Sequence, residues 1–343
     1  MEISRFMRTG ALALAATTLA TATMAADFYA GKSLIVIAGY RPGGGVDNNA
    51  RLVGAHIARF IPGKPTVINK NMPGAAGGRL ANHMYHKADP DGLMLALPGR
   101  TWMFSKLFKE PGVRYDPLKF EYVGSPGPVN NKLWIRADLG IKTIDELKKS
   151  RREVVFGGLA QRATNTVIPR ILGRDGFPIR ALHGYKGTAN IMLAIEQKEV
   201  DGIFSSESTL RNNRGDLIDN KVVIALLQAK PFEPGLPVLD NYLSASAKPL
   251  VKLVTASSDF GVIALAPPKT PKDRVDILRK AYAAMMKDAA FRADAAKRAI
   301  SVDKPLSGEQ VLAELRDVLE GADQKVVDEY LTYVPPAKKK AKK

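Results

Sequence analysis

The chain contains few side chains suited to covalent chemistry. It has no cysteine, which removes thiolate nucleophiles, disulfides and Cys-based metal sites. His83 and His86 stand three apart on a predicted helix, with no third ligand nearby and no H-E-x-x-H pattern, so no metal site is read from them. Ser205-Ser206 lacks both a G-x-S-x-G elbow and a neighbouring histidine in sequence. What the sequence repeats is backbone chemistry. In Leu34 to Arg51 a β-branched apolar run, Leu34 to Ala38, leads into Pro42-Gly43-Gly44-Gly45, three successive residues without a Cβ. Asp47 is placed to cap a helix starting at Asn48, whose apolar face is Leu52, Val53, Ile57 and Phe60. Strand, glycine turn and helix start together present unpaired N–H donors and the positive end of a helix dipole, which suits a carboxylate or phosphate. Nucleotide motifs fail: the third glycine of G-x-G-x-x-G is Asn48, and no G-x-x-x-x-G-K-[ST] occurs.

The same unit recurs. Pro65 to Asn69 reads as a strand running into Pro73-Gly74-Ala75-Ala76-Gly77-Gly78 and a helix with Leu80, Met84 and Tyr85. Asp89-Pro90-Asp91-Gly92 is a turn before a third strand, Leu93 to Leu97, and Thr101 to Glu110 reads as helix. In the second half, Val154 to Phe156 leads to Gly157-Gly158-Leu159-Ala160-Gln161-Arg162-Ala163-Thr164 and a helix, and Ile179 to His183 leads to Gly184-Tyr185-Lys186-Gly187-Thr188 and another. Strand Val200 to Phe204 ends at Ser205, Ser206 and Glu207. In open parallel sheets ligands sit beyond the carboxyl ends of the strands, where such turns gather. Two half-molecules with two donor-rich turns each would form a cleft for an anion.

Length and composition frame that reading. Residues 1–26, with Arg5 and Arg8 ahead of an Ala/Leu/Thr run, read as an export signal cleaved after Ala22, Ala25 or Ala26, which implies a periplasmic protein. The remaining chain exceeds what one core usually serves, so two domains are expected. Their boundaries are read as 27–125 and 256–334 for the first domain and 126–255 for the second, with a disordered Lys-rich tail at 335–343. The formal charge of +17 falls to +11 once the signal (+1) and the tail (+5) are set aside. Aromatics are not interleaved with the basic residues as a stacking platform requires, so the surplus is a bias toward anionic ligands, not a nucleic-acid surface.

Tyr40 to Arg51 matches an aromatic followed by x-P-G-G-G-x-D-x-x-A-R, and Asn71-Met72-Pro73-Gly74-Ala75-Ala76-Gly77 matches N-x-P-G-A-G-G except at Ala76. Looser matches are Phe156-Gly157-Gly158, the Y-K-G at Tyr185 to Gly187, the V-D-x-x-F at Val200 to Phe204, and Ala264 to Pro268 as a return segment. In these features the chain resembles the periplasmic solute receptors of tripartite tricarboxylate transporters, the Bug family. The resemblance implies two doubly wound α/β domains closing on a small organic carboxylate (a type II periplasmic binding protein), no enzyme activity, no cofactor, and delivery by a monomer to membrane permease subunits. A carboxylate sensor for a signalling partner and a periplasmic enzyme acting on an organic acid are the alternatives.

The resemblance also implies a backbone pincer made by Gly43, Gly44 and Gly45 with Gly74, Ala75, Ala76 and Gly77. Tyr40 and Tyr185 stand either as cleft walls or as core aromatics. The expected ligand set further includes Asp47, Gly158, Ala160, Gln161, Thr164, Gly187, Phe204 and Glu207. Arg41, Arg100 and Arg162 each fall beside a predicted loop at the cleft mouth. A guanidinium matches a carboxylate bidentately, so at least one of them is expected to meet the ligand's far carboxylate.

Overall fold

A computed structural model describes residues 28–334; the stretch read as an export signal and the Lys-rich tail lie outside the described residues. The strands form two sheets. The first contains β1 (Ser33–Ala38), β2 (Thr66–Asn71), β3 (Met94–Leu97), β4 (Glu121–Ser125), β10 (Ala264–Ala266) and β11 (Leu306–Ser307), in the order β11-β4-β10-β3-β1-β2. The second contains β5 (Asn131–Arg136), β6 (Val154–Gly158), β7 (Ile179–His183), β8 (Gly202–Ser206) and β9 (Val223–Gln228), in the order β7-β6-β8-β5-β9. β1 runs parallel to β2 and β3, and β6 parallel to β7 and β8, while β10 is antiparallel to both its neighbours and β5 to both of its own. Each lobe therefore gathers the carboxyl ends of several strands along one edge.

Helices follow those edges: α1 (Gly45–His56), α2 (Gly78–His86), α3 (Ile144–Lys149), α4 (Thr164–Arg174), α5 (Thr188–Glu196), α6 (Glu207–Arg214), α7 (Asp216–Asp219), α8 (Ala247–Thr255), α9 (Lys272–Lys287), α10 (Ala289–Lys297), α11 (Gly308–Glu320) and α12 (Gln324–Tyr333). Among the described residues no helix is long and apolar enough to cross a membrane. Leu52, Val53 and the following Ile57 are buried against β1 side chains Leu34 and Val36, and each fully buried aliphatic side chain contributes roughly 1.5–3 kcal/mol. Helix α3 is capped by Thr143, whose Oγ1 accepts from the Glu146 N–H at 3.1 Å.

Two elements differ from the sequence reading. Thr101 to Glu110 is only a single 3₁₀ turn, Thr101–Phe104, followed by tight turns, because Trp102, Met103 and Phe104 are all buried and a continuous helix would expose part of that run. The last helix, α12, does not rest wholly on the first lobe. Its C-terminal carbonyl at Tyr333 takes Nη1 of Arg170 (3.0 Å), and the Thr332 hydroxyl takes Nη1 of Arg174 (2.9 Å), both from α4 of the second lobe. Tyr330 stacks on Phe108 of the first lobe at 4.0 Å between centroids, so α12 touches both.

Two chain segments cross between the lobes, and they are tied together. Val129 N–H donates to Ser258 O (2.8 Å), Asn131 Nδ2 to Ser258 Oγ (2.9 Å), and the Ser125 hydroxyl to Phe260 O. Gly261, at φ +59°, lies so close to the Gly127 carbonyl that no side chain fits.

Candidate ligand-binding cleft

Three turns of the first lobe meet at Pro98. A Cβ on Gly39 would lie 2.6 Å from the Pro98 carbonyl oxygen, and one on Gly77, at φ +97°, would collide with the same atom. The turns after β1, β2 and β3 are thus locked against one another by glycines that allow backbone contact. Tyr40 folds inward over this junction. Its ring covers Gly99, burial pushes its phenol pKa upward, and Thr101 and Arg100 beside it act in the opposite direction.

The first turn is held by Asp47, in a way the sequence did not reveal. Helix α1 begins at Gly45 and not at Asn48, its N-cap Gly44 has no side-chain cap, and Asp47 lies inside the first turn. Its carboxylate is 3% exposed and accepts from Arg51 Nε (2.8 Å), Asn71 Nδ2 (2.7 Å) and the Gly43 N–H (2.9 Å). Burial raises its pKa, but the Arg51, Asn71 and Gly43 donors outweigh burial and hold it below the usual carboxylate range. Two expectations are corrected by this. Asp47 is an internal anchor and not the cap of a helix starting at Asn48, and the Gly43 N–H is already used. Asn71 Nδ2 also reaches the Tyr40 carbonyl at 2.9 Å, so it fastens the first turn to the second.

The donors left over are those of the first helical turn, Gly44, Gly45 and Val46, which make no hydrogen bond among the described residues. In the second turn the Gly77 N–H closes back on Gly74 O (3.0 Å), leaving Ala75 and Ala76 N–H without partners among the described residues. Ala75 and Ala76 stand at φ +46° and +50°. A left-handed backbone at alanine is strained by about 1–2 kcal/mol per residue, which explains why glycine suits position 76. Gly74 itself is exposed at φ +142°.

The second lobe offers side chains. Ser206 caps α6, accepting from the Thr209 N–H (3.2 Å) and pairing with the Thr209 hydroxyl (2.7 Å). Thr209 Oγ1 lies 4.0 Å from the position of a Cβ on Gly45, so the starts of α1 and α6 face each other across the gap. Leu159 and Gly158 carbonyls accept from Gly184 N–H (2.9 Å) and Tyr185 N–H (3.4 Å), joining the turns after β6 and β7. Gly187 is the uncapped N-cap of α5, and Thr164 opens α4 with Ala160, Gln161 and Arg162 in the turn before it. Arg162 Nη1 stands 3.6 Å from Glu110 Oε1 of the first lobe.

Several expected contacts lie elsewhere. Phe204 is 1% exposed within the lobe core, since both faces of β8 are covered. Gly158 is buried against Thr166 and serves the close approach of α4 to β6. Tyr185 packs on the Trp134, Ile191 and Val200 cluster. Glu207 is engaged by Lys132 (2.8 Å) and Arg211 (2.7 Å), which outweigh the effect of burial and hold its pKa low. Lys132 also pairs with Glu233. Of the three arginines, Arg41 is exposed, while Arg100 and Arg162 are partly covered and each keeps a shielded Nη1 without a hydrogen-bond partner. Arg100 forms no ion pair among the described residues, and burial lowers its pKa. His83 and His86 line a 520 Å³ cavity with Arg79, Lys87 and Arg114 that also reaches Met72 and Ala75 of the second turn, and His86 Nε2 is 2.7 Å from the Arg114 carbonyl. Among the described residues no three His, Cys, Asp or Glu gather as a metal site would require. The residues missed from sequence are Thr209 and Glu110, and Asn71, quoted only as the head of the second motif, was not read as the tie between the turns. Only the D-x-x-x-R spacing of Asp47 and Arg51 carried a local signal.

Two lobes with strand ends and helix starts facing a shared gap define the architecture of a type II periplasmic binding protein, and known structures agree. MatC of Rhodopseudomonas palustris with bound malate superposes with a TM-score of 0.62 at 18% identity, covering 89% of this chain and 99% of its own. The periplasmic binding protein BugD gives 0.65 at 21%, covering 90% and 100%. R. palustris Rpa4515 with adipate gives 0.66 at 16%, covering 89% and 97%. No protein-family model matches the chain. In sequence it is similar to UPF0065 proteins over part of their length: it is 31% identical over 205 residues to one from the TAR-I ttuE-ttuC' intergenic region of Agrobacterium vitis, across 58% of this chain and 57% of that relative. A second, from the tcbD-tcbE intergenic region of Pseudomonas sp. (strain P51), is 23% identical over 273 residues, across 78% of this chain and 77% of its own. The fold implied by the resemblance is borne out by these structures, and the UPF0065 proteins are similar in sequence.

Proposed function

We propose that this protein is an extracytoplasmic solute receptor that captures a small organic carboxylate between its lobes and delivers it to membrane permease subunits of a tripartite transporter. The lobes would be the domains expected from sequence, 27–125 with 256–334 and 126–255, with α12 spanning both. The observation that carries the reading is the set of free main-chain donors at Gly44–Val46 facing the start of α6 across the gap, with the free donors of Ala75–Ala76 on the neighbouring turn that Asn71 fastens to the first. Fixed N–H groups bind an anion at little ordering cost. Arg100 adds to this, because a shielded guanidinium with an unmatched N–H beside the same junction favours an incoming carboxylate. Malate and adipate, the acids bound by two structural neighbours, are the natural first probes.

Titration calorimetry and thermal shift with these acids test the reading. Saturable binding with a rising unfolding temperature, and no consumption of the acid, is expected. Turnover would point to an enzyme. Arg100→Ala should weaken binding at least fivefold while Arg41→Ala stays within twofold; if Arg41→Ala, Arg100→Ala and Arg162→Ala all stay within twofold, the arginine assignment is wrong.

A further inference from the structure

Glu110 is placed with unusual care for a residue at the end of a surface turn. Its N–H donates to Ser105 O (2.9 Å), and the Ser105 hydroxyl donates to its Oε2 (2.8 Å), while Lys109 takes φ +50° to bring the chain round. Phe108, two residues earlier, is anchored by its stack on Tyr330. This leaves Oε1 of Glu110 directed across the gap at Arg162, at 3.6 Å. Both side chains are about a quarter exposed, 22% and 24%. The separation is beyond a charge-assisted N–H···O bond, which closes to about 2.7–2.9 Å, and Arg162 Nη1 accordingly has no hydrogen-bond partner although it is shielded. A pair built to hold the lobes together would be short and bidentate. This one is loose on the side of the second lobe and firm only on the side of the first.

We infer that the Glu110 carboxylate is an internal stand-in for a second carboxylate of the ligand. Resting on the proposed receptor reading, it assigns Glu110 and Arg162 as the residues that separate dicarboxylates from monocarboxylates. A ligand carrying two carboxylates brings one to the main-chain donors and delivers the other to Arg162 at full hydrogen-bond distance, displacing Glu110 toward water on its Ser105 tether. A ligand with one carboxylate leaves the Glu110–Arg162 pair as it is. The competing carboxylate thus weakens dicarboxylate binding without affecting monocarboxylates.

The test measures affinities of wild type, Glu110→Gln and Arg162→Gln for matched pairs, adipate against hexanoate and succinate against butyrate. Gln retains an oxygen for the Ser105 hydroxyl, and the unliganded unfolding temperature checks that each variant is folded. Glu110→Gln should tighten the better-bound dicarboxylate at least threefold and leave the monocarboxylates within twofold; Arg162→Gln should weaken the dicarboxylate at least tenfold and the monocarboxylates by less than twofold. If Glu110→Gln weakens both classes alike, the pair is a lobe latch; if it changes neither, the pair is idle, and either result overturns the inference. Should wild type bind none of the four acids, the receptor reading itself falls and this inference with it; wild-type binding with the wrong response in Glu110→Gln sinks the inference alone.

Discussion

The two faces of the cleft are built from different materials. The first lobe presents mainly main chain: glycines at 39, 43, 44, 45, 74 and 77 and free N–H groups, with the buried Asp47 carboxylate holding the turns from behind and Arg100 and Glu110 as its charged side chains. The second lobe presents side chains: the Ser206 and Thr209 hydroxyls, Arg162, and Lys132 with its two glutamates. Main-chain donors read any carboxylate and cannot be altered by a point substitution without bending the chain. Side chains can be exchanged singly. The contrast suggests that the first lobe's main chain recognises the ligand class and that side chains, Arg162 of the second lobe with Glu110 opposite it, select within it.

Substitutions in the two lobes should therefore behave differently, and the largest effect is expected at the shared Pro98 contact. Gly77→Ala forces a methyl group into the Pro98 carbonyl at a left-handed backbone position, which should cost about 3 kcal/mol, lower the unfolding temperature by roughly 6 °C, and weaken carboxylate binding at least tenfold. Binding of both ligand classes should suffer alike, in contrast to the selective effect expected of Arg162→Gln.

Asp47→Ala comes next, with a loss of about 2–3 kcal/mol in urea unfolding, because the Gly43 N–H and the Asn71 amide lose their acceptor while half-exposed Arg51 is rehydrated. A neutral outcome would mean the turn is held by the glycines alone. The same residue predicts a pH response. Its folded pKa is depressed, so its stabilisation is complete above the unfolded value of about 4 and is lost as pH falls through the folded value. Asp47→Asn should flatten the stability profile below about pH 4 and leave its slope near neutral pH unchanged. The smallest effect is at the strained alanine: Ala76→Gly should raise stability by no more than about 1 kcal/mol, strain relief being partly offset by glycine's greater unfolded-state entropy, with dicarboxylate selectivity untouched.

Much of the first lobe's face could be read directly from the sequence. Leu34 to Ala38, like Val154 to Phe156 in the second lobe, is a β-branched or apolar run of the kind found in buried parallel strands, and a glycine turn follows each at the carboxyl end. Asp47 was misplaced because its decisive partner, Asn71, lies 24 residues away, and nothing local distinguishes a carboxylate facing its own helix start from one facing a neighbouring turn. Phe204 was misassigned because β8 is covered on both faces, so alternation carries no information about which side a residue takes. Glu110 and Thr209 were invisible, since each matters only through a residue on the opposite lobe, and that proximity is a product of closure.

The central claim is that main-chain amides of the first lobe grip the carboxylate, and it is tested most directly by following backbone amide resonances of ¹⁵N-labelled protein during titration with adipate or malate. The account predicts that Gly44, Gly45, Ala75 and Ala76 shift together, saturably and more than other amides, and that Gly43, already bonded to Asp47, moves much less. Saturable binding that leaves these four amides in place, with the large shifts elsewhere in the chain, would contradict it.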